Sequence, residues 1–139
     1  MSPRSALPYR YLLDTNIVSD LVRNPQGAVT RRIARIGEDK VCTSIIVACE
    51  LRYGAEKKGS TRLSAQLERV LSVLPVLPLA GEADRYYGRI RAELERKGTP
   101  IGPHDMLIAS HARATGLTLV TNNLAEFKRV GKLKLANWL

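Results

Sequence analysis

The sequence predicts a single α/β domain in which a mostly parallel central sheet of four to five strands is covered by helices on both faces. Three observations lead there. Short apolar runs of strand length alternate along the chain with longer amphipathic runs of helix length, and the connections between them are short. The 139 residues, 45% of them hydrophobic, suit one core and leave little room for a second. The domain is expected to span residues 1–139, with residues 1–8 forming a flexible N-terminal extension.

Taken in order, "YRYLLDTN" reads as a strand over residues 9–13 with Asp14 at its carboxyl end, followed by a helix through "IVSDLVR" that Asn24, Pro25 and Gly27 stop. "AVTRRIARIG" is an amphipathic and very basic helix. "KVCTS" is a second strand, and "IIVACELRYGAEKKG" a helix for which Thr43 or Ser44 supplies the N-cap. "TRLSAQLERVLSVL" places Leu63, Leu67, Val70, Leu71 and Leu74 on one helical face. "PVLPL" is a short strand between prolines, and "AGEADRYYGRIRAELERKG" a long charged helix closed by Gly98. Gly102 and Pro103 open the next helix, "PHDMLIASHARATG". "LTLVT" is a strand, and the remainder gives a short helical turn and a last strand ending at Trp138, a terminal core plug. In such sheets function gathers at the carboxyl ends of the strands.

Lysine and arginine number 22 against 13 acids, a formal charge of +9, which favours a polyanionic partner: RNA, DNA or an acidic protein. Cys42 and Cys49 lie in an apolar stretch without metal-ligand spacing, so they read as buried thiols and not as a zinc site or disulfide. "MSPRSALPYR" has no apolar signal region, and no run reaches the roughly 18 apolar residues that span a bilayer. A cytoplasmic protein without a membrane partner is expected.

Many acids have a cation at helical spacing and belong to solvated faces: Asp20 with Arg23, Glu56 with Arg52, Glu82 with Arg85, Glu93 with Arg96 and Lys97, and Glu95 with Arg91. Asp14, Glu50 and Asp105 do not, and each sits in or against an apolar run. Each has a bland explanation. Asp14 could cap a helix, Asp105 could answer a helix dipole, and Glu50 could pair with a distant arginine. A shared divalent cation explains all three together, because unanswered buried carboxylates cost several kcal/mol each. Magnesium suits them: it is a hard ion that takes oxygen ligands and keeps water.

"LLDTNIVSDL", "SIIVACELRYGAEK", "IRAELERKGTPIGPHDMLIASHARATG" and "LVTNNLAEFKRVGKLKLANWL" occur in that order with conforming spacing. As a set they resemble the PIN-domain ribonucleases, specifically the VapC toxins of bacterial toxin–antitoxin pairs. The resemblance implies a PIN-like fold and an Mg²⁺-dependent endoribonuclease, with Mn²⁺ a substitute, that cleaves structured RNA such as tRNA to 3′-hydroxyl and 5′-phosphate ends and so inhibits translation. It also implies neutralisation by a VapB antitoxin and a homodimer. Carried over by position, Asp14, Glu50 and Asp105 match the family's core acids, with Asp14 and Asp105 directly on the metal and Glu50 binding it or orienting its water. The fourth catalytic residue is Glu126 or Asn123; Asn123 and Glu126 also fit a capping box, and Arg129 follows three residues later. Thr15, Asn16, Thr121 and Asn122 resemble the family's polar support.

Two rival classes fit the sequence less well. A haloacid-dehalogenase-type phosphatase needs a second acid two residues after Asp14, where Asn16 stands, and a receiver-like domain needs an acidic pair before it. A non-catalytic RNA-binding or protein-interaction PIN-like domain would have lost a core acid, whereas all three are present, and aromatics at 5% supply few stacking platforms. His104 and His111, seven residues apart, roughly share a helical face but lack metal-type spacing, and read as structural or surface residues. The basic runs around Arg31, Arg32 and Arg35, and Arg89 and Arg91, are the expected RNA contacts.

Overall fold

In the computed structural model, which describes residues 7–139, the expected alternation of strands and helices is present throughout. Residues 1–6 of the expected N-terminal extension lie outside the described residues. The order is β1 (Tyr11–Leu13), α1 (Thr15–Arg23), α2 (Ala28–Ile36), a 3-10 turn (Glu38–Lys40), β2 (Val41–Ser44), α3 (Ile45–Lys58), α4 (Thr61–Val73), β3 (Val76–Leu77), α5 (Ala83–Arg96), α6 (Pro103–Thr115), β4 (Thr118–Val120), α7 (Leu124–Phe127) and β5 (Leu135–Ala136). The first and last strands are shorter than expected.

The five strands form one sheet in the order β3-β2-β1-β4-β5, and every pairing is parallel. Consecutive residues of β1 and β2 are buried whichever face they point to, as a sheet covered on both faces requires. From β1 the chain steps outward on one side through β2 and β3, then crosses to the other through β4 and β5. The strand order therefore reverses between β1 and β4, and the crevice beyond their carboxyl ends is where an open parallel sheet leaves room for a ligand.

The helices bury the faces their periodicity dictates. Ile17, Val18 and Val22 of α1 are buried, and α4 sets Leu67 into the core with Leu63, Val70 and Leu71 packed beside it. Ser44, of the two proposed caps for α3, accepts from the Ile46 N–H. Trp138 is buried as expected, with its ring 5.0 Å from that of Tyr11.

Three local expectations need correction. Cys42 is buried and its thiol is pushed up to about 12 by burial, but Cys49 is exposed, because it falls on the outer side of α3. Arg52 pairs with Glu68 on α4 and not with Glu56 on its own helix, since α4 packs alongside α3. Asn123 stands at the start of α7, but no side-chain cap bond forms there; the Glu126 carboxylate is drawn away to another loop. The expected pairs Glu95 with Arg91 and Glu93 with Lys97 are present.

Candidate metal centre and active site

Asp14 leaves β1 at the crevice, its N–H donating to the Val120 carbonyl of β4. Only 4% of its surface is exposed. It occupies the N-cap position of α1 without making a side-chain cap bond. Instead its Oδ2 accepts from the Thr121 hydroxyl at 2.7 Å, and Thr121 Oγ1 in turn accepts from the Asn123 N–H at 3.0 Å, which aims the hydroxyl hydrogen at Asp14. Burial pushes the Asp14 carboxyl above its ordinary range; Thr121 and the Thr15 backbone pull it back in part, while the charges of Glu50 and Glu126 raise it.

Glu50 comes from the second turn of α3. Its Oε1 accepts from the Thr15 hydroxyl at 3.0 Å, so the residue after Asp14 fixes the second acid. No arginine or lysine of the described residues forms a salt bridge with it; the His104 ring, through Nδ1, lies 3.7 Å from Oε2. Across the mouth of the crevice the Asn16 amide donates to Asn122 Oδ1 at 2.6 Å, tying α1 to the turn after β4.

Asp105 stands in the first turn of α6, after Gly102 and Pro103. Glu126 reaches it from α7. Glu126 Oε1 accepts from the Gly102 N–H at 3.0 Å and Oε2 from the Asn123 amide at 2.5 Å. Gly102 is where the two acids meet: a Cβ there would stand 3.8 Å from Asp105 Oδ2 and 4.0 Å from Glu126 Oε1. Burial, the hydrogen bond shared with Glu126 and the charges of Glu126, Asp14 and Glu50 push the Asp105 carboxyl to about 7. The Gly102 N–H holds Glu126 below its ordinary range. The sequence-predicted acids thus act on one another electrostatically, and among the described residues no salt bridge engages Asp14, Asp105 or Glu126.

Such a set fits a hard divalent cation. Its donors are carboxylate oxygens, no salt bridge of the described residues engages Asp14, Asp105 or Glu126, and the two acids placed on the metal by resemblance are the two with raised pKa values. Among the described residues no group of three or more His, Cys, Asp and Glu closes into a ready-made cage. An ion here would keep part of its water shell, as magnesium does.

Sequence reasoning missed two fixing contacts. The Gly102 bond to Glu126 joins residues 24 apart, and a buried bond between Ser44 Oγ and His111 Nδ1, 2.8 Å long, joins residues 67 apart. His111 was expected only to be structural or superficial; the seven-residue spacing from His104 was the available signal, because both do face α3.

A parallel sheet with carboxylates gathered at its switch point is the arrangement of a PIN domain, and the PIN-domain family matches residues 11–133. The chain is 42% identical over 130 residues to the tRNA(fMet)-specific endonuclease VapC of Shigella flexneri, covering 93% of this chain and 98% of that protein. It is 43% identical over 132 residues to Ribonuclease VapC2 of Haemophilus influenzae, covering 94% and 98%. Among solved structures it resembles VapBC2 from Rickettsia felis bound to a DNA fragment from its promoter, with a TM-score of 0.85 and 38% identity over 93% of this chain and 98% of that one. DNA-bound VapBC from Salmonella typhimurium matches with a TM-score of 0.85 and 40% identity over 94% and 99%. The chain belongs to the PIN-domain family, within its VapC group of ribonucleases. Among the described residues no helix is long and apolar enough to cross a membrane.

Proposed function

We propose that this protein is a cytoplasmic Mg²⁺-dependent endoribonuclease toxin that cleaves structured RNA, tRNA in the first place, and is neutralised by a VapB-type antitoxin. The observation that carries the reading is the convergence of Asp14, Glu50, Asp105 and Glu126 within reach of one another's charge, with neutral groups fixing Asp14, Glu50 and Glu126. Asp14 and Asp105 would hold the ion from β1 and α6. When bound, the ion supplies the acidity that activates water and the positive charge that offsets the scissile phosphate; Mn²⁺ has the same donor preference and would substitute.

The chain's own groups do the positioning. Thr121 and the Thr15 backbone orient the Asp14 carboxylate. Thr15 holds Glu50 where its remaining oxygen can orient a water. Glu126 closes the Gly102 turn and, with both oxygens committed to Gly102 and Asn123, acts as the rim that places Asp105. The relatives named tRNA(fMet)-specific endonuclease and the VapBC complexes support the substrate class and the antitoxin. The family resemblance adds a homodimer, which sedimentation of the purified chain would read.

The deciding experiment is cleavage of total tRNA by the free protein with Mg²⁺, beside Asp14→Asn and a chelator control. Discrete fragments that vanish in both controls are expected. Intact RNA with a folded, antitoxin-free protein would favour a non-catalytic interaction domain.

A further inference from the structure

α3 and α6 carry one acid each of the proposed metal centre and run antiparallel against each other. At one end of their contact, Glu50 of α3 meets His104 of α6 at the crevice rim. At the other, Ser44, at the start of α3, meets His111 near the end of α6. The two contacts are six residues apart along α3 and seven along α6, or about 9–10.5 Å at 1.5 Å per residue. Only the Ser44 end is sealed: Ser44 is 0% exposed and His111 1%, whereas the His104 side chain is 65% exposed.

The hydrogen assignment at the sealed end follows from the partners. Ser44 Oγ accepts from the Ile46 N–H, and with a neutral His111 ring donating its one N–H to the Pro78 carbonyl, Nδ1 is left to accept the Ser44 hydrogen. Burial favours the neutral ring that can accept it, and the Pro78 carbonyl lies beside the ring as a further partner. One hydroxyl thereby caps α3 and binds it to α6 at a fixed register.

We propose that His111 is a positioning residue for the metal centre: through Nδ1 and Ser44 it locks α6 against α3 and so sets the gap between Glu50 and Asp105. The proposal rests on the metal-centre reading above. Glu50 has a second tether in Thr15, and Gly102, just ahead of Asp105, is tethered to Glu126, but neither bond connects α3 to α6. Without the Ser44 bond, the exposed Glu50–His104 contact and apolar packing are left to hold the two helices in register, and the acids with them.

Two substitutions separate this role from mere core packing. His111→Asn places its Oδ1 near the position of Nδ1, where it accepts from Ser44; His111→Gln carries its amide one bond further out and misses it. Mn²⁺ binding by the full chain, without RNA, is measured by electron paramagnetic resonance of the free ion, beside thermal melts. His111→Gln is expected to weaken Mn²⁺ binding about tenfold or more, and His111→Asn by no more than about twofold, as for other groups that orient metal ligands. A structural role alone would move both variants alike. Equal weakening in both, or none in either, overturns the proposal. Should His111→Gln not fold, Ser44→Ala and Ser44→Thr make the same comparison: affinity must fall with Ala and hold with Thr. Wild-type protein that binds no Mn²⁺ would instead overturn the metal centre itself.

Discussion

Replacing Asp105 by Asn should make the metal-free protein more stable while it destroys activity. A carboxyl held at about 7 where 3.8 is ordinary is disfavoured as an anion in the fold. The full difference corresponds to at most about 4 kcal/mol. Asp105 is only half-buried, and solvent screening brings this to about 1–2 kcal/mol. The sign follows from the raised value. Below about pH 4 the group is protonated folded and unfolded, and the penalty is absent; as pH rises from there through 7 the unfolded chain ionises freely, the folded one does not, and stability is lost. Asn keeps the shape and never charges. For a chain of this size the gain is roughly 4–7 °C in Tm. Melts in EDTA at pH 4, 6 and 8 would measure it: the variant should match the wild type at pH 4 and exceed it at pH 8. Mg²⁺ should then raise the Tm of the wild type and leave the variant unmoved. A variant no more stable than the wild type at pH 8, or one that Mg²⁺ stabilises equally, would refute the reasoning that these acids repel one another for the sake of an ion.

Thr121→Val removes the hydroxyl that donates to buried Asp14, at about 1.5–3 kcal/mol of stability for a bond to a charged group. It should also move the acid limb of the pH–activity profile toward alkaline pH, because Thr121 is the partner that most lowers the Asp14 pKa. For RNA binding, Arg35→Ala and Arg89→Ala should each flatten the slope of log affinity against log salt by about 0.7 per lost phosphate contact. Arg91→Ala should do less, since its guanidinium is already engaged by Tyr87 and Glu95. A thiol reagent should modify exposed Cys49 in the native protein at once and reach Cys42 only on unfolding; equal rates would contradict the packing of β2.

The acids were legible because apolar neighbours make an unpaired carboxylate conspicuous. Glu50 inside "IIVACEL" has no cation at helical spacing, and Asp14 after two leucines ends a strand, where Arg10 four residues back is no helical partner; those marks survive without any tertiary information. The alternation of periods was enough for the sheet, down to Asp14 at a strand end. What stayed illegible is set by register between distant elements. Nothing in "NNLAEF" says that Glu126 will bind the Gly102 N–H instead of its own helix start, and a capping box was the reasonable local reading. Arg52 was assigned to Glu56 for the same reason, and the packing of α4 redirected it. The Ser44 bond to His111 depends on how α6 lies on α3, which no spacing within either helix encodes.

The choice of fixing partners gives the site its logic. Asp14, Glu50 and Glu126 are each held by a neutral donor: the Thr121 hydroxyl, the Thr15 hydroxyl, and the Gly102 N–H with the Asn123 amide. An arginine in any of these places would orient a carboxylate as well and stabilise the apo protein more, but its fixed charge would oppose the arrival of a cation. Neutral donors orient without neutralising. Burial first, and then the repulsion they leave in place, fall most heavily on Asp105. Metal binding and apo-state strain are on this account the same quantity, so a variant that relieves the strain must weaken the affinity for the ion.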